Sequence, residues 1–180
     1  MLDPKTGIDF PFFQSQVPDI FGTPTGAPFP ENYLRTMDFG EFRPHFDHVV
    51  DFMGDPWDYR IYGNYILDAP LRRAFGLVVA RGLAGELQTF DGCFCIRKMK
   101  GGSGYSMHSW ALALDFNALT NPFGGTPTLS PEFVSCFTEC GFEWGGLWRP
   151  DEYRDGMHFQ IVWIRVHTDG NPLNPVAWVA

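Results

Sequence analysis

Two segments of the chain carry side chains that can do chemistry together. One is Ser106-Met107-His108-Ser109-Trp110-Ala111-Leu112-Ala113-Leu114-Asp115 and the other is Asp155-Gly156-Met157-His158-Phe159-Gln160. They supply two imidazoles and two carboxylates, the kind and number needed for a zinc ion with three protein ligands beside a free general base. His108 and Asp115 stand seven residues apart. A loop running into a strand can bring both to one ion at about 2.0–2.2 Å, and His158 completes three ligands. The fourth position is left to water, whose pKa zinc lowers towards roughly 7. Asp155, just ahead of His158, can face that water as base without binding the ion. Metal-assisted hydrolysis is the chemistry expected, although this donor set with an open position also suits iron.

Other polar residues compete. Arg97 approaches the same region through the loop Gly101-Gly102-Ser103-Gly104, and its guanidinium could hold a substrate carboxylate or carbonyl and stabilise a tetrahedral intermediate. Lys98 and Lys100 fit less well, by alternation or because they border the glycine loop. Asp151 and Glu152 are alternative bases, but charged residues in such a loop are usually solvated. His45-x-x-His48-x-x-Asp51 could gather on a helix, yet a polar helix face explains the spacing equally. A single strand histidine or aspartate is commonly just a hydrogen-bonded structural residue. Asp115 is harder to dismiss, because its apolar strand context would make burial costly without a cation or hydrogen-bond partners.

The elements that must position these groups are legible from residue 67 onward. Leu67, Leu71, Phe75, Val78, Val79, Leu83 and Leu87 recur at helical spacing opposite Arg72, Arg73 and Arg81, with Asp68 as a cap and Pro70 in the first turn. Ser130-Pro131-Glu132 opens a second helix that stops at Gly141. Period-two alternation marks strands near Cys93 to Arg97, Ala111 to Asn117, Phe142 to Trp144 and Met157 to Trp163. Alternation puts Ala113 and Asp115 on one face and Leu114 and Phe116 on the other; His158, Gln160 and Val162 share a face in the last strand. Asp115 and His158 can then line one cleft. The glycine loop lacks the lysine and spacing of a phosphate-binding loop.

Bulk properties bound the rest. At 180 residues, with 44% hydrophobic and 19% charged residues, the chain is sized and composed for one globular domain. A net charge of -8 argues against a nucleic-acid or anionic-membrane surface. No apolar run reaches membrane-spanning length, and Met1-Leu2-Asp3-Pro4 does not open a secretory signal, so synthesis in the cytoplasm is expected. Cys93, Cys95, Cys136 and Cys140 lack zinc-knuckle spacing and read as reduced thiols. Residues 1–60 mix Pro, Gly and aromatics, as in Phe10-Pro11-Phe12-Phe13 and Thr23-Pro24-Thr25-Gly26-Ala27-Pro28-Phe29-Pro30. They read as an aromatic- and Pro-rich N-terminal arm, ordered by the body of the protein or by a partner.

Ser106-x-His108-x-Trp110-x-x-Ala113-x-Asp115-x-Asn117, then Trp144-Gly145-Gly146-x-Trp148, then Asp155-x-x-His158-Phe159-Gln160 resembles the zinc peptidases that include D-alanyl-D-alanine carboxypeptidases and phage L-alanyl-D-glutamate endopeptidases. The resemblance covers about residues 65 to 165. It implies an α+β fold, hedgehog/DD-peptidase-like, with a small antiparallel sheet covered by helices, residues 61–180 forming the catalytic domain. It further implies Zn2+ on His108, Asp115 and His158, Asp155 as base and Arg97 as stabiliser. The substrate implied is the peptidoglycan stem peptide, met at the cell wall in phage lysis or from a virion. The Trp-Gly-Gly-x-Trp and Asp-x-x-His forms look closer to the endopeptidase branch. A carboxypeptidase releasing D-Ala and a non-catalytic wall-binding module are the alternatives. Ala111 departs from the pattern, which has glycine there, and would be strained if the backbone needs positive φ.

Overall fold

The strand that carries Asp115 has one bulky face, Leu114 and Phe116, and the fold is arranged to cover it. The computed structural model describes residues 8–11, 13–100 and 102–166, with side chains from residue 13 onward. Residues 1–7, Phe12, Gly101 and 167–180 therefore lie outside the described residues, including part of the first aromatic cluster and the start of the glycine loop. The strands are β1 (Ile8–Pro11), β2 (Leu34–Asp38), β3 (Val50–Asp51), β4 (Arg60–Asn64), β5 (Thr89–Gly92), β6 (Ala113–Phe116), β7 (Phe142–Trp144), β8 (His158–Ile161) and β9 (Trp163–Val166). The helices are α1 (Val17–Phe21), α2 (Phe29–Tyr33), α3 (Arg43–Phe46), α4 (Asp68–Ala80) and α5 (Pro131–Thr138).

Five strands make the main sheet in the order β3-β5-β6-β8-β7, and β1-β9 and β2-β4 form two small ribbons. Every described pairing is antiparallel except β3 with β5. The fold is α+β, as expected. Helices α4 and α5 pack over the bulky face of β6: Phe75 of α4 meets Phe116 and Phe137 edge-on at 6.2 and 6.1 Å, and Phe137 of α5 lies 4.8 Å from Phe159. Each buried Phe contributes about 1.5–3 kcal/mol of transfer free energy. Phe75 also receives Phe39, Phe42, Phe46 and Trp57, so residues ahead of 60 share the same core.

Several expected boundaries move, for local reasons. Helix α4 ends at Ala80 because Gly82 takes φ +70°; Leu87 is buried from beyond the helix. Asp68 is the first helical residue and grips Arg72 one turn on, at 3.0 and 3.1 Å, while Asn64 caps the preceding turn. Helix α5 follows expectation, with Ser130 Oγ accepting from Phe133 N–H at 3.0 Å and Gly141 at φ +96° beyond its end. The strand expected at Cys93 to Arg97 is not formed: the sheet strand is β5, and Gly92 at φ +134° beside a register shift turns the chain out of the ladder. Left-handed Ala111 and Asn117 trim the next strand to β6. The last alternating stretch divides at Val162, whose N–H donates to Gly141 O at 2.8 Å. No helix among the described residues is long and apolar enough to cross a membrane.

Candidate active site

Strands β6 and β8 pair with Asp115 directly opposite His158. His108 enters from the 3-10 turn Met107–Trp110, where Ser106 Oγ accepts its backbone N–H at 3.4 Å and Ala111 closes the turn at φ 52°, ψ 40°. The conditional strain at Ala111 is thus present, because that left-handed conformation disfavours any residue with a Cβ. The turn brings His108 Nε2 to 3.2 Å from Asp115 Oδ1 and 3.1 Å from His158 Nδ1, and His158 Nδ1 stands 3.3 Å from Asp115 Oδ1. Among the described residues this is the one group of three such side chains able to hold a metal ion.

The outer nitrogen of each ring is engaged. His108 Nδ1 lies 2.7 Å from the Cys93 carbonyl, which can only accept, so the ring proton belongs on Nδ1 and the Nε2 lone pair faces inward. His158 Nε2 lies 3.0 Å from Gln160 Oε1, leaving its Nδ1 inward. Two imidazole lone pairs and a carboxylate oxygen so close together must share a proton or a cation. Ligand bonds of about 2.0–2.1 Å in a tetrahedral site place neighbouring donors about 3.3–3.4 Å apart, close to the spacing found. The residues fit a zinc ion. Burial by itself raises the Asp115 carboxyl, but hydrogen bonds and charge from His108 and His158 outweigh it and hold the group well below the usual carboxylate range.

Asp155 sits differently. Its N–H donates to Gly145 O at 3.0 Å, and its carbonyl accepts from His158 N–H at 3.1 Å. A Cβ on Gly145 would fall 2.6 Å from Asp155 O, so this approach requires glycine. Asp155 Oδ1 is buried and accepts no hydrogen bond. Burial pushes this carboxyl above its ordinary value; charge from His158 opposes it most, Asp115 adds to the rise, and Lys100 and Arg97 oppose it less. A buried, uncommitted carboxylate oxygen is what a general base needs. Glu143, also in the cleft, is committed at both oxygens, accepting from Trp148 Nε1 at 3.1 Å and from Gln160 Nε2 at 3.0 Å.

Asp115, His158, Asp155 and Glu143 line a cleft of about 590 Å³ with Arg97 and Lys100 on its wall and Met99, Phe123, Trp148 and Tyr153 as apolar surface, and His108 meets it through its contacts with Asp115 and His158. Every site residue expected from sequence is thereby brought to one place. The rivals are not: Asp151 pairs with Arg154 at 2.9 Å and with Arg149, and Glu152 is exposed. His48 binds the Leu87 carbonyl, and Asp51 Oδ1 accepts from Met53 and Asp55 N–H groups. Sequence reasoning undervalued Lys100, missed Gln14 and Glu143, and held Trp148 and Gln160 only as motif positions without a role. Gln160 also had a structural signal, the face it shares with His158 in an alternating strand, whereas nothing in the sequence pointed to Gln14 or Glu143.

A family model described as D-alanyl-D-alanine carboxypeptidase matches residues 100–161, the stretch that holds all three converging side chains and Asp155. Over this stretch the chain is similar to the D-alanyl-D-alanine carboxypeptidase family of zinc peptidases. The chain is accordingly a zinc-dependent peptidase, with a peptidoglycan-related substrate. No curated protein and no solved structure matches it. Arg97 and the segments before residue 100 lie outside the match to the carboxypeptidase family.

Proposed function

We propose that this peptidase is an L-alanyl-D-glutamate-type endopeptidase of the peptidoglycan stem peptide, with zinc on His108, Asp115 and His158, Asp155 as general base and Arg97 as electrostatic stabiliser. The observation that carries the proposal is the pairing of a tight three-donor cluster with the unpartnered Oδ1 of Asp155 in one cleft. When bound, zinc supplies Lewis acidity that polarises the scissile carbonyl and acidifies water. Asp155 accepts the proton of the attacking water and returns it to the leaving amine. Arg97 holds the carbonyl oxygen as charge develops on it. The apolar cleft wall suits an extended peptide, and the Trp144-Gly145-Gly146-x-Trp148 and Asp155-x-x-His158 forms favour the endopeptidase branch.

In this proposal residues 61–180 are the catalytic domain, and residues 1–60 are an arm that lends Gln14 to the cleft. The enzyme acts on the bacterial cell wall, in phage lysis or from a virion. The description of the matching family favours a second reading, removal of terminal D-Ala, with Arg97 gripping the free carboxylate. Mass spectrometry of digested muropeptides separates the two. An endopeptidase frees the stem at L-Ala, and release of D-Ala alone would replace the first reading by the second.

A further inference from the structure

The outer nitrogen of His158 is held by a chain of hydrogen bonds whose direction can be worked out from its far end. Glu143, as a carboxylate, only accepts. Its Oε1 takes the indole N–H of Trp148 at 3.1 Å and its Oε2 lies 3.0 Å from the Gln160 amide. Gln160 must therefore turn its NH2 towards Glu143 and its carbonyl towards His158, at 3.0 Å. That carbonyl can only accept, so His158 carries its proton on Nε2 and aims the Nδ1 lone pair at Asp115 and His108. Strand register builds the chain in: Gln160 of β8 is directly opposite Glu143 of β7 and shares a face with His158. Gln160 is buried, and the Trp148 ring lies 5.1 Å from the His158 ring.

We propose that Gln160, oriented by Glu143 and Trp148, is a positioning residue that sets the tautomer and ring angle of His158 for metal binding. This rests on the zinc site proposed above. Outer partners of a ligating histidine fix its orientation and raise its basicity, and losing one typically costs 10–100-fold in metal affinity.

The test measures Zn2+ and Co2+ affinity by chelator competition, together with the visible absorption of the Co2+ form and the thermal midpoint of the metal-free protein. Gln160→Leu removes the acceptor at similar volume and should weaken metal binding roughly 10–100-fold. The double variant Glu143→Gln with Gln160→Glu exchanges donor and acceptor. The amide at position 143 can accept from Trp148 and donate to position 160, whose second carboxylate oxygen can accept from His158. Affinity should return to within about threefold of the parent, whereas Gln160→Glu alone opposes two carboxylates and should stay weak. The positioning role is overturned if Gln160→Leu binds both ions as tightly as the parent with the same Co2+ spectrum, or if the double variant binds no better than Gln160→Glu. A parent chain that takes up neither ion would instead remove the metal site itself, and the positioning role with it.

Discussion

Ser109 Oγ accepts the backbone N–H of Arg97 at 3.0 Å and lies 2.9 Å from the Arg97 carbonyl, to which it can donate. The hydroxyl is fully buried and next in sequence to His108, so one side chain ties the irregular segment carrying Arg97 to the turn carrying a proposed ligand. Ser109→Ala strands the Arg97 N–H and should cost about 1–2 kcal/mol of stability. It should also lower kcat/KM while metal content is unchanged, measured by denaturant unfolding and peptide hydrolysis. Full activity in this variant would show that Arg97 is placed by something else.

Ala111 tests how strain is balanced. Its left-handed backbone costs about 1–2 kcal/mol in a residue with a Cβ. Glycine relieves that cost but gives up about 0.8 kcal/mol of buried methyl and about 0.4–1 kcal/mol of unfolded-chain entropy. The effects nearly cancel, so Ala111→Gly should fall within about 1 kcal/mol of the parent in chemical denaturation. Ala111→Val should be far worse, because a β-branched residue tolerates this conformation least. A glycine variant destabilised by more than about 2 kcal/mol would mean that methyl packing dominates.

Asp155 should trade stability for activity. Its carboxyl is raised by burial, so its ionised form is costlier in the folded chain than in the unfolded one. That penalty is absent below the ordinary carboxylate pKa and fully present once the pH exceeds the raised value. At neutral pH, Asp155→Asn removes the charge and should stabilise the metal-free protein, read as a higher thermal midpoint. The same change should lower turnover by roughly 10²–10⁴ with metal still bound. Undiminished turnover would take Asp155 out of the mechanism.

The four thiols divide by environment. Burial pushes Cys93 and Cys136 up and Cys140 up to about 12, whereas Cys95 is exposed. Alkylation of the native protein at neutral pH should therefore modify Cys95 ahead of the other three, with all four reacting in denaturant, as mass spectrometry of timed samples would reveal. A thiol raised in the folded state favours folding fully below its unfolded pKa. Cys140 should thus contribute a loss of stability as pH climbs from the ordinary thiol range towards about 12. Equal labelling of Cys140 and Cys95 in the native state would contradict this burial.

How much of this could be read from sequence depends on the range over which each feature is specified. The alternation around Asp115 and His158 is local, so their shared cleft was legible, as were α4 and α5 from their apolar stripes and first-turn residues. Chemistry singled out Asp155 because few other carboxylates stood beside a histidine of the right spacing. The first 60 residues were not legible, because α1, α2 and α3 run only four or five residues and β3 two, too short for a period to register. The absent strand at Cys93 to Arg97 follows from one glycine conformation that alternation does not report. Gln14 reaches Met99 and Tyr105 from more than 80 positions away, and Glu143 reaches Gln160 across two strands. Such partners are set by tertiary packing alone.

Metal analysis coupled to muropeptide digestion, before and after chelation, bears most directly on the proposed site. The purified chain should hold one zinc ion, and digestion should create new amine ends that vanish on chelation and return with zinc. Undiminished digestion by metal-free protein would contradict a role for His108, Asp115 and His158 in hydrolysis.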